Sequence, residues 1–154
     1  MREKQLETLR KVYYRESNYH YESMQDNFYI NSFMMIYLEN PVNVKIENKN
    51  YDVNRFFKDF DNQDFLNLEV TSKYLENGIK SIAGRKYSLS VRYQPWNRHT
   101  INARLLKAVM DLLAADKVEV SSSYCKPWKI SGEYGVGYLM PVNVPDRDVM
   151  FFEA

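Results

Sequence analysis

The sequence predicts an α+β fold in which helices pack on one face of antiparallel β-sheet. Three features support this prediction: an amphipathic segment near the start, an aromatic-rich hairpin after it, and a strand-helix-strand pattern that occurs twice in the second half. A chain of 154 residues buries roughly 70% of its unfolded surface and needs no covalent staple. We therefore expect a single domain over residues 1–154 with one hydrophobic core.

The first predicted element is a helix over residues 3–15. Leu6, Leu9 and Tyr13 recur at helical spacing, whereas the basic residues of this segment fall on another face. One apolar face and one charged face are what a helix on the surface of a globular core requires. This segment should therefore pack against the rest of the domain.

A β-hairpin is predicted to follow this helix. Segments 19–25 and 28–38 are rich in aromatic and apolar residues, and Asp-Asn at 26–27 separates them as a turn. Beyond the hairpin, 42–46 alternates apolar and polar residues like a strand, and 53–57 is compatible with a short helical turn. The second arm of the hairpin, 28–38, is expected to be one continuous strand.

Residues 66–96 and 100–128 repeat one pattern: strand, helix, strand, then a Pro-Trp pair. Segments 70–79 and 101–110 align at a constant offset of 31. The proline is expected to end a strand and the tryptophan to cover an edge of the core. Any two units of this kind share such apolar spacing, so chance similarity stays open beside duplication. The side chains that can cap the two helix starts are Thr71 or Ser72 and Asn102.

Composition and charge place the chain among cytoplasmic proteins. Cys125 is the only cysteine, so no disulfide can form within the chain and a reducing compartment is expected. The segment MREKQLETLRK is charged where a signal peptide is apolar, and no stretch approaches the ~18 apolar residues of a membrane span. A net charge of +1 excludes an overall basic footprint but not a local basic face. We expect no association with membranes.

Residues 101–144 contain four short motifs in a fixed order. They are an Asn-Ala-Arg-x-Leu helix start at 102–106, a Val-Glu-Val strand at 118–120, a Lys-Pro-x-x-Ile strand at 126–130 and a Tyr-Leu-Met-Pro-Val segment at 138–142. In order and spacing, this part of the chain resembles the closing helix and strands of the bacterial DNA sliding clamp, the processivity factor of the replicative polymerase. The resemblance implies a single clamp-like domain with a short tail at 145–154. Because a full clamp subunit has three such domains, the size indicates a version encoded by a phage or a mobile element.

The resemblance implies that helices present basic side chains to DNA phosphates through water, while strands form an outer wall. The basic residues of the predicted helices are spaced by three, four or seven, so each set lies on one helical face opposite the apolar stripe. An ordinary solvated surface is the alternative, and it is favoured for any one helix taken alone. The predicted DNA-facing residues are Lys4, Lys11, Arg15, Lys73, Lys80, Arg104 and Lys107.

The resemblance also implies an apolar pocket that binds short peptides from polymerases and other partners. Methionine adapts to several ligands, and proline offers apolar surface without a competing hydrogen-bond donor. The alternative is that these residues complete the core. The predicted peptide-binding residues are Met35, Cys125, Pro127, Met140, Pro141 and Val142.

Residues that carry catalysis or bind metals are sparse. His20 and His99 are the only histidines, and neither lies in a nucleophile signature or at metal-ligand spacing. Asp59, Asp61 and Asp64 could hold Mg²⁺, but such a run is more often a solvated turn and lacks the glycine and final glutamate of a calcium loop. We expect no catalytic residues, no metal and no cofactor, and therefore a protein that is not an enzyme.

Taken together, these features predict a sliding-clamp-like accessory of DNA replication, or a clamp mimic, that acts by binding. Its expected partners are double-stranded DNA and replication proteins or host clamp partners. Head-to-tail assembly into a homo-oligomer is compatible with a clamp-like function. The alternative is a small phage-type inhibitor that binds a host defence or replication protein without touching DNA.

Overall fold

A computed structural model of the chain describes residues 2–16, 22–25, 27–31, 33–40, 42, 58–61, 64–81, 90–94, 100–121, 126–142 and 149–153. Its helices are α1 (Arg2–Glu16), α2 (Ser72–Ser81) and α3 (Ala103–Leu113), and a further helical segment covers 58–61. Its strands are β1 (Glu22–Gln25), β2 (Phe28–Asn31), β3 (Met34–Leu38), β4 (Phe65–Leu68), β5 (Ser90–Gln94), β6 (Thr100–Asn102), β7 (Ala115–Ser121), β8 (Trp128–Gly132), β9 (Gly135–Leu139) and β10 (Val149–Glu153). The helix predicted over 3–15 is confirmed by α1. Within these ranges, no helix combines the length and the apolar character needed to cross a membrane.

The predicted hairpin is confirmed at its first turn and wrong in its second arm. Strands β1 and β2 pair antiparallel, and Asn27 between them adopts a left-handed φ of 67°. The segment 28–38 is not one strand. The side-chain oxygen of Asn31 accepts hydrogen bonds from the backbone N–H groups of Phe33 (2.9 Å) and Met34 (3.1 Å). This local bonding turns the chain, so β3 runs back antiparallel along β2.

The second half follows the strand-helix-strand order, as β4-α2-β5 and then β6-α3-β7. Both predicted caps are confirmed. The Thr71 hydroxyl accepts a hydrogen bond from the N–H of Tyr74 at 3.1 Å, and the Asn102 side chain accepts one from Leu105 at 3.1 Å. The expectation that the second tryptophan covers an edge of the core is wrong, because Trp128 begins β8 and is fully buried.

Several sequence predictions concern segments outside the described residues. These are the strand after position 42, the helical turn at 53–57, the first Pro-Trp pair at 95–96 and the strand ends at 87–89 and 122–124. Val42 itself lies in no strand and packs against the core.

The strands form two sheets. The larger one is antiparallel, with the strand order β1-β2-β3-β9-β8-β7-β4. The smaller one has the order β10-β5-β6, in which β10 is parallel and β6 antiparallel to β5.

All three helices pack on the same face of the seven-stranded sheet. Helix α3 contacts both α1 and α2 and also strands β7, β8 and β9. Leu6 of α1, Leu75 of α2 and Leu106 of α3 belong to one buried cluster with Ile36 and Ile130 of the sheet. Each fully buried aliphatic side chain of this kind stabilises the fold by about 1.5–3 kcal/mol. The predicted α+β class, with helices on one face of an antiparallel sheet, is therefore confirmed.

An internal symmetry that the sequence pattern did not reveal relates β2-β3 to β8-β9. Adding 101 to the pair Phe28↔Tyr37 gives Lys129↔Tyr138, and the same shift holds for every described pair of β2 with β3. The same offset exchanges the two strands of the β3–β9 pair: adding 101 to Met34 and subtracting 101 from Leu139 gives Gly135 and Leu38, which are also paired. An approximate two-fold axis between β3 and β9 thus relates β2-β3 to β8-β9, while β1 and β7 correspond in strand order but not at the same offset.

Candidate functional site

Three of the predicted DNA-facing lysines project from the helical layer into solvent. Lys4 and Lys11 of α1 and Lys73 of α2 are exposed. Lys4 and Lys11 are seven residues apart, so they share the face of α1 that lies opposite the buried Leu6. Arg15 lies in the same helix. These lysines are placed where a polyanion could reach them.

Lys80 is also exposed but is paired with an acid of its own helix, and the two predicted cations of α3 are partly enclosed. Lys80 forms an exposed ion pair with Glu76 at 3.0 Å, and this hydrogen bond lowers the pKa of the Glu76 carboxyl. The Nζ of Lys107 lies 2.6 Å from a carboxylate oxygen of Asp111. Arg104 is half-buried, and its enclosed Nε has no hydrogen-bond partner in the part of the chain that the structure describes. Lys107 and Arg104 therefore offer less charge to a ligand than their sequence spacing indicates.

Asp111 links the three helices to one another. Its carboxylate accepts hydrogen bonds from the Ser72 hydroxyl of α2 (2.7 Å) and from Lys107 of α3 (2.6 Å). Its backbone carbonyl accepts one from the Gln5 side chain of α1 at 3.1 Å. These bonds are largely exposed, so each contributes about 1 kcal/mol or less. Their structural effect is to hold α1, α2 and α3 at one junction.

A second link fixes the end of the helical layer. Arg2 donates a hydrogen bond to the carbonyl of Leu112 at 2.8 Å, and its guanidinium lies 3.0 Å from the centre of the Tyr134 ring. A cation at the C-terminal end of a helix is favoured by the helix dipole. Arg2 therefore supports the packing of α1 on α3.

The helical layer is the positively charged part of the molecule. The three helices hold nine Lys and Arg residues and five Asp and Glu residues, a net charge of +4. The rest of the chain holds twelve and fifteen, a net charge of −3, so the overall value of +1 conceals a charge separation. Since the helices lie on one face of the sheet, their net positive charge is concentrated on that face of the described structure, which we call its cationic side.

A groove of about 990 Å³ opens where α2 begins and α3 ends. Its walls carry acids, hydroxyls and one lysine, including Glu69, Thr71, Ser72, Asp116 and Lys117. In the described ranges, no group of three His, Cys, Asp or Glu side chains is placed to hold a metal ion.

Three of the predicted peptide-binding residues, Met35, Pro127 and Met140, belong to the outer face of the sheet, which is the face turned away from the helices. Met35 pairs in register with Tyr138 and is buried in a small cluster on this face. Pro127 lies two residues before Lys129, and Met140 lies two residues after Tyr138. Alternate residues of an extended chain point to the same face of a sheet, so Pro127 and Met140 lie on the side of Lys129 and Tyr138.

The other predicted peptide-binding residues are placed less completely. Pro141 and Val142 are half-buried beyond the end of β9, and the N–H of Val142 donates to the carbonyl of Thr100 at 2.7 Å. This bond joins the segment after the larger sheet to the smaller sheet. Cys125 lies outside the described residues.

A polar cluster on the outer face attaches the segment 58–61 to the sheet. One carboxylate oxygen of Asp61 accepts hydrogen bonds from Lys129 (2.6 Å) and from the Tyr138 hydroxyl (2.7 Å). The ring of Phe60 lies 5.8 Å from that of Tyr138. The bond from Lys129, followed by that from Tyr138, lowers the pKa of Asp61. Burial, and then the bond to Asp61, raises the pKa of Tyr138.

This cluster gives the aspartate run a role other than metal binding. The Asp61 carboxylate is neutralised by Lys129 and hydrogen-bonded by Tyr138, so it serves as an anchor for its segment. Asp59 and Asp64 are exposed. Among the residues that the structure describes, these three aspartates are not grouped so as to hold a metal ion.

Sequence reasoning missed Asp111 and the pair formed by Lys129 and Tyr138. Asp111 had a local signal, since it follows Lys107 by four residues on a helix. Lys129 and Tyr138 had no local signal, because they are brought together by the pairing of two strands. Comparison of the chain with protein-family models, with curated proteins and with solved structures finds no match.

Proposed function

We propose that this protein is a non-enzymatic, clamp-like module that lays its helical layer along the phosphate backbone of double-stranded DNA. The observation that carries the proposal is the charge separation: three helices on one face of the sheet hold a net +4 while the rest of the chain holds −3. Lysines on long, solvated stems attract phosphates through counterion release and read no base sequence. A contact of this kind permits movement along the duplex.

The motifs at 101–144 support a role in DNA replication, with replication proteins as peptide-bearing partners. Pro127, Met140, Pro141 and Val142 lie near the exit of β9 and beside the outer face, away from the cationic side. DNA and a protein partner could then be bound at the same time on opposite faces. We further propose a cytoplasmic location, supported by the single cysteine.

The decisive test compares two triple variants in a DNA-binding titration. Lys4, Lys11 and Lys73 are reversed to glutamate in the first variant. In the control variant the same change is made at three exposed lysines outside the helices, Lys58, Lys117 and Lys126. Both variants lose the same overall charge, so only the position of the change differs.

Fluorescence anisotropy with labelled duplex DNA over a range of salt concentrations gives the readout. Each phosphate contact contributes about 0.9 to the slope of log affinity against log salt, so loss of three contacts should flatten the slope by up to about 2.7. The control variant should keep most of the wild-type slope. Equal losses in both variants would contradict a helical DNA face, and absence of DNA binding by the wild type would favour the inhibitor alternative.

A further inference from the structure

On the outer face of the seven-stranded sheet, two residues of the segment 58–61 are bound as the residues of a peptide ligand would be. Phe60 packs on the apolar patch formed by Phe28 and Met35. The next residue, Asp61, places its carboxylate on Lys129 and Tyr138 at 2.6 and 2.7 Å. One aromatic ring and one carboxylate, adjacent in sequence, therefore provide both the apolar and the polar part of the contact.

This contact differs in kind from the main core. Among the described residues, the patch contains two buried side chains and is separate from the large cluster beneath the helices. The side chains of Lys129 and Asp61 are 22% and 42% exposed, so the ion pair lies at the surface, where a competing carboxylate can reach it. Ion pairs at such exposure are weak, and their partners exchange readily.

Tyr138 makes the site selective for a hydrogen-bond acceptor. The residue is 1% exposed and its hydroxyl donates to Asp61. A buried hydroxyl without an acceptor is costly, so any group that replaces Asp61 must supply an oxygen at the same point. Lys129 adds a preference for a negatively charged acceptor. The ring of Phe60 shows what occupies the space beside them.

We propose that Lys129, Tyr138 and the adjoining Met35 patch form a recognition site for peptides with an aromatic residue followed by an acid, and that Phe60–Asp61 occupies it in cis. A partner peptide of the same chemistry displaces the segment. The tethered segment competes at an effective concentration in the millimolar range, so the wild-type site admits only partners that overcome it. The inference does not rest on the proposed DNA contact, which involves the opposite face.

A synthetic, fluorescently labelled peptide with the sequence of residues 56–64 is the probe. It is titrated against the full-length wild type and against the variant Phe60→Ala/Asp61→Asn. The variant should bind the peptide at least about tenfold more tightly, because the tethered competitor is lost. Adding Lys129→Met to the variant should remove this gain. A control peptide carrying the same alanine and asparagine changes should bind neither protein.

Equal peptide binding by wild type and variant would overturn the proposal, and so would binding that does not depend on Lys129. The single variant Asp61→Asn is the safeguard against misfolding, since Asp61 is exposed and asparagine has the same shape. With its fold checked by circular dichroism, it should also bind the peptide more tightly than the wild type, and no gain would count against the site. DNA affinity is measured in parallel and should be unchanged, so failure of this proposal is distinguishable from failure of the DNA proposal.

Discussion

Replacing Asp111 by asparagine should weaken the fold and strengthen DNA binding at the same time. The asparagine keeps an oxygen for the Ser72 hydroxyl but removes the ion pair with Lys107. The side chains of that pair are 28% and 41% exposed, so its loss costs only about 0.5 kcal/mol. Conversion of the Ser72 bond from charged to neutral brings the total to about 1 kcal/mol. For a chain of this size, we expect a melting temperature lower by about 2–4 °C.

The effect on DNA has the opposite sign because the change adds one available cation. With Lys107 released, the net charge of the helical layer rises from +4 to +5. One additional phosphate contact steepens the salt slope by about 0.9, so the advantage of the variant should grow about 3.5-fold between about 200 mM and 50 mM salt.

Thermal unfolding followed by circular dichroism and anisotropy titrations at two salt concentrations test this pair of effects on the same samples. Asp64→Asn is the matched control, since it removes an equal charge from an exposed residue outside the helices. A gain in affinity no larger than that of the control would refute the reasoning that Lys107 faces DNA. An unchanged melting temperature would refute the role of Asp111 as a junction.

Three further predictions concern the fold itself. The hydrogen bond from Lys129 lowers the pKa of Asp61, so the stabilising contribution of Asp61 is complete above about pH 5 and disappears as the pH falls through its folded-state pKa. In urea unfolding, the stability advantage of the wild type over Asp61→Asn should therefore disappear in acid. A difference that stays constant with pH would contradict this prediction. Gly135→Ala should cost more than about 2 kcal/mol, because φ is 150° and an added Cβ would overlap the Tyr37 carbonyl oxygen; a neutral result in denaturant titration would show that this turn can shift. Leu106→Ala should cost about 2–5 kcal/mol by the same assay, and a loss below 1 kcal/mol would place Leu106 outside the shared core.

The candidate DNA face could be predicted in part from sequence. Helical spacing correctly indicated that Lys4, Lys11 and Lys73 would be exposed, because a residue opposite the apolar stripe of a helix that packs on a core faces solvent. The same reasoning did not reveal that Arg104 and Lys107 are partly enclosed. Helix α3 buries seven of its eleven residues between its neighbours, which leaves little surface for its cations. Periodicity identifies one buried face but not how many neighbours a helix has.

The internal two-fold symmetry was beyond the reach of sequence reasoning for a related reason. Segments 28–38 and 129–139 share only their final Tyr-Leu pair when aligned at the offset of 101. The symmetry is carried by backbone pairing, which many different side chains satisfy. Two turns of equal length reach the same register by different means, one through the side chain of Asn31 and the other through the backbone freedom of Gly135.

Local sequence determined where this chain forms helices, how those helices are capped and which of their faces is apolar. These properties are decided by interactions within a few residues, such as the bond of Asn102 to Leu105. They were predicted correctly for α1 and for the caps of α2 and α3, whereas the helical segment 58–61 was not predicted. Only the tertiary structure decided that Asp61 meets Lys129 and Tyr138, which are 68 and 77 residues away along the chain. Contacts at such separations depend on strand order and sheet register, and these follow from the packing of the entire core.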